Sequence, residues 1–335
     1  MTDVLLVCIG STAGLRAADD ELAASLRRAG ATVSVATAAP QADVPTFALT
    51  DFLWARAARA AAIRAFDGGP VGAVIYSTIT AALFWPRPGA IRFDAPALAN
   101  RPGRHGFWQR PLERVRLRQA PLLIPQSTGA LAEARAGETP SIVVPVAVRA
   151  SGPATGVRDI AAITYGANPA KKGLDRVLAA WAQARRPGEE LVVAGVSALP
   201  PDAQGRTIAD GVRVVGMIAP DAYRALLRRS RVYVTAPRRE DYGVAQLEAL
   251  ADGCMLVTNR APGPYVALEL AEDLDGRLVG DDLAAAIRAG LDDPRPGYAA
   301  AAAAGLEPIS DAAVDRLVAT QLLGALGIGG RVAAC

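Results

Sequence analysis

The sequence predicts an α/β protein built from two Rossmann-like, doubly wound domains, and three observations predict it. Short apolar, β-branched runs recur along the chain, each followed by a turn and then by a segment whose apolar residues have helical spacing. The breaker-rich stretch 149–156 (Arg149-Ala150-Ser151-Gly152-Pro153-Ala154-Thr155-Gly156) divides this alternation into two series. The 335 residues, 51% of them hydrophobic, suffice for two domains with separate cores. The expected domains are 1–150 and 151–310, followed by a C-terminal helical segment, 311–335.

Composition narrows the class. A net charge of +3 gives no general case for nucleic-acid binding. Cys8, Cys254 and Cys335 are too few and scattered for a disulfide framework or a zinc site, as in a reducing compartment. The N-terminus lacks a basic leader, and no apolar run approaches the ~18 residues of a membrane span, so the expected location is the cytoplasm. Of 36 basic residues only Lys171 and Lys172 are lysine. Two lysines at one place in so arginine-biased a chain suggest that a compact ammonium is wanted there.

In chain order, Val4–Ile9 reads as a buried strand. The loop Gly10-Ser11-Thr12-Ala13-Gly14 follows, then a helix from about Arg16 to Ala29 and a strand over Thr32–Ala36. The loop is not G-x-G-x-x-G, so a dinucleotide reading is weak. A helix over 51–66 and a strand over Val71–Tyr76 come next. Eight arginines (87, 92, 101, 104, 110, 114, 116 and 118) then crowd the stretch to residue 118 against Asp94 and Glu113, with Phe107, Trp108 and the single histidine, His105, among them. Arg110, Arg114 and Arg118 have the spacing of one helix face. The run reads either as a solvated face or as a site for an anionic acceptor or an anionic membrane. Leu122–Pro125 and Ile142–Pro145 read as the last strands of the first domain.

The second series opens with a strand over Ile160–Tyr165, the loop from Gly166 through Asn168 to Lys171-Lys172-Gly173, and a helix from Leu174 to about Ala184. Strands at Leu191–Gly195 and Val212–Val215 follow, then Gly216-Met217-Ile218 and a helix from Pro220 through Arg229. The run Val232-Tyr233-Val234 stops at Pro237. Behind it lie Glu240, Asp241, Tyr242 and Gly243, a helix ended by Gly253, and a strand over Met255–Thr258. Glu240 stands ahead of that helix and Glu248 on its second turn, at a strand-to-helix junction where open α/β sheets bind ligands. Carboxylates there accept sugar hydroxyls, and free N–H groups at a helix start suit a phosphate. Asp281-Asp282 and Asp292-Asp293 sit at helix boundaries, where acidic caps are ordinary, so no metal site is assigned. Leu283–Gly290 is a helix, Asp311–Leu326 is the last one, and Gly324, Gly327, Gly329 and Gly330 read as a frayed tail.

The segment carrying Glu240, Tyr242, Gly243, Glu248, Ala249, Ala251 and Gly253 resembles the retaining family 4 (group 1) glycosyltransferases, whose C-terminal halves carry E-x-F/Y-G-x-x-x-x-E-A-x-A-x-G after a strand. The loop ending in Lys172-Gly173 is similar to that family's G-R-x-x-x-x-K-G element, with Ala167 where the family has arginine. The resemblance implies the GT-B fold, two Rossmann-like domains facing across a cleft, with the last helix crossing back to the first domain. It implies transfer of a hexosyl group, with retention, from a nucleoside diphosphate sugar (UDP- or GDP-linked) to an acceptor hydroxyl, without a cofactor or metal. Glu240 and Lys172 would serve the chemistry. Glu248, Tyr242, Gly243, Val244, Gly14, Gly166, Asn168, Gly216 and Met217 would bind the donor. On the acceptor side, Arg92-Phe93-Asp94 occupies the place of the family's histidine motif, which leaves Asp94, with His105 nearby in sequence. The other reading is a non-catalytic nucleotide-sugar-binding subunit of the same fold.

Overall fold

The computed structural model describes residues 2–42, 44, 46–101, 103–153, 156–199 and 210–328. Ala154, Thr155, Gly329 and Gly330, read above as linker and tail, lie outside them. Two compact units divide the chain, the first made of Met1–Ala147 with Asp311–Cys335 and the second of Val148–Ser310.

The first unit runs β1 (Thr2–Cys8), α1 (Ala13–Arg28), β2 (Val33–Thr37), α2 (Phe47–Asp67), β3 (Val71–Tyr76), α3 (Ile79–Ala82), β4 (Ala90–Phe93), α4 (Ala97–Asn100), α5 (Gln109–Gln119), β5 (Leu123–Pro125) and α6 (Thr128–Ala134). Its five strands are all parallel in the order β2-β1-β3-β4-β5. One sheet face buries Leu5, Val7, Tyr76 and Ile91 against alanines of α2. The other buries Val4 and Leu6 against Leu22 and Leu26 of α1 and against Val314, Val318 and Leu322 near the C-terminus. The Asp315 carboxylate accepts from Ser25 Oγ (2.6 Å) and from Arg28 (2.7 and 2.8 Å), which holds the C-terminal helical segment on α1.

Four expectations need correction here. Gly14 lies in the first turn of α1, because Thr12 caps that helix by accepting from Leu15 N and so starts it three residues early. Ile142–Pro145 is no strand. Ser141 makes an isolated bridge to Leu123, and Ile142 and Val144 donate to the Leu123 and Pro125 carbonyls (both 2.9 Å), but Pro145 has no N–H to carry the pairing further. Arg92 is not part of a solvated arginine face: it is 2% exposed on β4 and pairs with Asp19 of α1 at 3.3 Å. Arg110 turns back to donate to the Gly103 and Gly106 carbonyls, leaving Arg114 and Arg118 as the exposed arginines of α5.

Glu113, also in the arginine-rich stretch, is buried and accepts from Ala97 N at 2.7 Å. Burial pushes its pKa up to about 7, against the backbone donors at Ala97 and Leu98 and the Arg101 charge. A carboxyl whose folded pKa lies above its unfolded one stabilises the fold fully below the unfolded value, and that contribution is lost as pH rises through the folded one. Melting temperature is therefore expected to fall between pH 5 and pH 8, and Glu113→Gln to remove part of that fall. Parallel curves for the two proteins would contradict this.

The second unit runs β6 (Ile160–Tyr165), α7 (Pro169–Lys172), α8 (Leu174–Ala184), β7 (Leu191–Ala194), β8 (Val212–Gly216), α9 (Pro220–Arg229), β9 (Ser230–Val234), α10 (Val244–Ala251), β10 (Met255–Val257), α11 (Val266–Asp275), α12 (Leu283–Asp292) and α13 (Tyr298–Leu306). The strands are again parallel, ordered β10-β9-β6-β7-β8. The chain winds outward through β6, β7 and β8, then returns to lay β9 and β10 on the other side of β6. The reversal falls between β6 and β9, and such sheets bind ligands beyond the carboxyl ends of strands at that point. The C-terminal segment from Asp311, which belongs to the first unit, is α14 (Asp311–Leu317), a π turn at Val318–Leu322, and α15 (Leu323–Ala325).

Candidate active site

The two loops that leave β6 and β9 at the reversal point carry Lys172 on one side and Glu240, Tyr242 and Gly243 on the other, and Glu248 follows on α10. After β6, Asn168 adopts a left-handed conformation (φ 56°), and its side chain accepts from Lys171 N at 3.2 Å, capping the single turn α7. The Gly166 N–H is bonded to Ala194 O (2.7 Å), and a side chain at Gly166 would meet Leu174 at 2.9 Å. These two residues therefore shape the loop that delivers Lys172. Gly173, at φ 64°, lets that loop lie on the β9 loop, since a Cβ there would stand 1.9 Å from Ala236 O.

Lys172 Nζ donates to Glu240 Oε2 at 2.6 Å, and Gln246 Nε2 of α10 donates to the same oxygen at 3.0 Å. Among the described residues Glu240 Oε1 makes no hydrogen bond, although the side chain is only 6% exposed. The Glu240 backbone is pinned as well: its N–H bonds Pro262 O at 3.1 Å, and Gly263 (φ 119°) passes so close that a Cβ would lie 2.2 Å from Glu240 O. One carboxylate oxygen is thus tied down and the other is presented, with a lysine ammonium beside it.

Gly243 (φ 92°) starts α10 with no side-chain cap, leaving first-turn N–H groups available to an anion. Glu248, one turn further on, accepts from Arg224 of α9 at 3.1 Å. Arg224 also donates to Asp252 (2.5 Å) and to Arg149 O (2.7 Å). Burial raises the Glu248 pKa. Arg224 opposes that shift and the Asp252 charge reinforces it. Gly216 (φ 74°) ends β8, and Met217 beside it is 73% exposed.

The other described cations of these two loops are paired with acids. Arg238 forks onto Asp175 at 2.8 and 3.0 Å, while Lys171 (3.0 Å) and Arg239 (2.9 Å) share Asp241. Gln246 and Arg224 were not foreseen from sequence. A glutamine inside an otherwise apolar helix was the available signal for the first; Arg224 had none, being one exposed-looking arginine among many. Gly14, Asp94 and His105 belong to the first unit. Asp94 accepts from its neighbour Ala95 N at 2.8 Å, and His105 lies edge-on to Phe47 at 6.1 Å in a 3₁₀ turn. Among the described residues no cluster of three His, Cys, Asp or Glu side chains is placed to hold a metal.

Comparison with known proteins bears on the fold. Residues 160–293 match the family model of the glycosyl transferases group 1. No curated protein matches the chain. Among solved structures it is similar to WaaG, a glycosyltransferase involved in lipopolysaccharide biosynthesis (TM-score 0.69, 15% identity, 96% of this chain and 100% of that one). It is also similar to Anabaena HepE in complex with UDP and glucose (0.66, 15%, 97% and 100%) and to sucrose-phosphate synthase from Thermosynechococcus elongatus (0.65, 16%, 97% and 100%). The fold is therefore that of the GT-B glycosyltransferases. The stretch that matches the group 1 glycosyl transferase model, residues 160–293, runs from β6 through α12 of the second unit.

Proposed function

We propose that the protein is a retaining hexosyltransferase that takes its sugar from a UDP- or GDP-linked donor and passes it to an acceptor hydroxyl. The observation that carries this reading is the Lys172–Glu240 pair at the β6/β9 reversal point, with one Glu240 oxygen left for a ligand. The Lys172 ammonium is suited to a diphosphate, whose charge grows as the bond to the sugar breaks. Glu240 Oε1 would accept from sugar hydroxyls and Glu248 from the ribose. The amides at Tyr242, Gly243 and Val244 would face phosphate and sugar, and Met217 would lie against the base. HepE, crystallised with UDP and glucose, supports a donor of this kind. The reading assigns charge neutralisation to Lys172 and to helix N–H groups. Retention then follows by same-face attack, the departing phosphate taking the acceptor proton.

Asp94 and His105 are the proposed acceptor-side residues of the first unit. An acceptor on an anionic membrane surface fits the exposed Phe107 (66%) and Phe47 (57%) in the same unit as the exposed Arg114 and Arg118. Co-sedimentation with phosphatidylglycerol vesicles is expected to be lost in Arg114→Glu/Arg118→Glu; unchanged sedimentation, or none by the parent protein, would sink this assignment. A second reading, a nucleotide-sugar-binding subunit without turnover, is favoured by Ala167 and by the prior pairing of Lys171, Arg238 and Arg239 with acids.

A thermal-shift panel of UDP, GDP, ADP, dTDP and their sugars tests the binding role. A ligand at ~100 times its Kd adds ~2.7 kcal/mol to the folded state, a readily visible rise. One nucleotide is expected to raise the melting temperature, and Glu248→Ala to abolish the rise. A rise that survives Glu248→Ala would remove Glu248 from the site.

A further inference from the structure

The opposite end of the second unit's sheet carries a cationic cavity that the transfer reaction does not use. It has a volume of about 390 Å³ and lies where β9 and β10 begin, lined by Arg158, Arg231, Arg295, Gly253, Ala299 and Ala300 among others. Glu240 lies beyond the other end of β9, and a five-residue strand spans roughly 16 Å, so this cavity is separate from the Lys172–Glu240 site.

Arg158 donates to the carbonyls of Ser230 (2.6 Å) and Asp252 (3.0 Å), Arg231 to Leu291 O and Arg295 to Leu274 O. Among the described residues none of the three is paired with a carboxylate. Asp275, whose pKa is lowered first by Arg277 and in part by the Arg295 charge, is held by Arg277 at 2.7 Å. Three guanidiniums anchored on main-chain oxygens thus line one hollow without a carboxylate to neutralise them. The N-terminus of α13 opens onto it. Its N-cap, Gly297, offers no side-chain acceptor, and its first turn has no acid. The N–H groups of Ala299 and Ala300 therefore lack an acceptor within the helix, and the small side chains leave them approachable.

Fixed guanidiniums converging with an uncapped helix start are the recognition chemistry of a phosphate group. We propose that this cavity binds a small soluble phosphate-bearing anion, distinct from the sugar donor. At about 30 Å³ per water, its volume admits a diphosphate with part of its hydration shell. Gly253 shapes it, since a Cβ there would stand 2.3 Å from Arg158 Nη2. The same turn holds Asp252, which binds Arg224 and through it Glu248, so Arg158, Asp252 and Arg224 link the cavity to the proposed ribose carboxylate.

The test is calorimetric titration of inorganic pyrophosphate into the full chain and three variants. Ala299→Glu places a carboxylate at the second residue of α13, where the helix field favours it, so folding is preserved while the anion is repelled. Arg295→Glu reverses an exposed charge, and Lys172→Ala weakens the donor's diphosphate seat. The expected result is a binding event that persists in Lys172→Ala and weakens about tenfold or more in Ala299→Glu and in Arg295→Glu, with all apo melting temperatures close to the parent. Phosphatidylglycerol vesicles are expected not to displace it. The proposal is overturned by parental affinity in both cavity variants, by loss of the event in Lys172→Ala, by displacement by vesicles, or by absence of binding in the parent protein.

Discussion

Lys172→Ala is expected to lower the rate of sugar transfer by roughly 10²–10³-fold, with a far smaller effect on folding. Lys172 is the one ammonium hydrogen-bonded to Glu240; Lys171 is turned to Asp241 and Arg238 to Asp175. Among the described residues no second cation is hydrogen-bonded to Glu240. Folding survives because the lysine side chain is 23% exposed, so water can replace its head group, and Gln246 still donates to the same Glu240 oxygen. The check is steady-state transfer beside a melting curve. A rate within threefold of the parent would place the diphosphate elsewhere.

Gly173→Ala is expected to be among the most damaging single substitutions in the second unit. The residue sits at φ 64°, and its new methyl would lie 1.9 Å from Ala236 O and 2.8 Å from the carbonyl carbon, both backbone atoms that cannot swing aside. Backbone strain and overlap together place the cost above about 4 kcal/mol, or roughly 8–16 °C in melting temperature for a unit of this size. Gly216→Ala is the control. It has a similar φ of 74° but nothing within 4 Å of the added carbon, so it should cost only about 1–2 kcal/mol. Equal losses for the two would show that conformation alone, and not the contact between the β6 and β9 loops, governs the position.

Much of the second unit was legible because its strands are continuous apolar runs. Ile160–Tyr165 and the helices at 174–184 and 220–229 follow directly from that pattern and from the breakers around them. The loop residues Lys172, Glu240 and Gly243 were legible for the same reason: they fall where the pattern stops. Pairings were not legible. Arg224 reaches Glu248 across 24 residues and Lys172 reaches Glu240 across 68, and spacing carries no information at that range. In the first unit, tertiary context overrode local pattern. Arg92 looked like one of eight surface arginines but is the buried partner of Asp19, and Ile142–Pro145 pairs with β5 only through Ile142 and Val144 before Pro145 ends the run. Helices α11 and α13 escaped notice because alanine and acidic residues blur their apolar stripes.

The central claim is that the second unit binds a nucleoside diphosphate sugar so that its glycosidic bond to phosphate can break. The most direct measurement is release of free nucleoside diphosphate over time from UDP-, GDP-, ADP- and dTDP-sugars, with and without simple hydroxyl acceptors, by the parent protein and by Glu240→Gln. The account predicts that one donor is cleaved, faster with an acceptor, and that Glu240→Gln abolishes cleavage while the nucleotide alone still binds. Tight nucleotide binding with no cleavage of any donor would contradict it, and would make the chain a binding subunit.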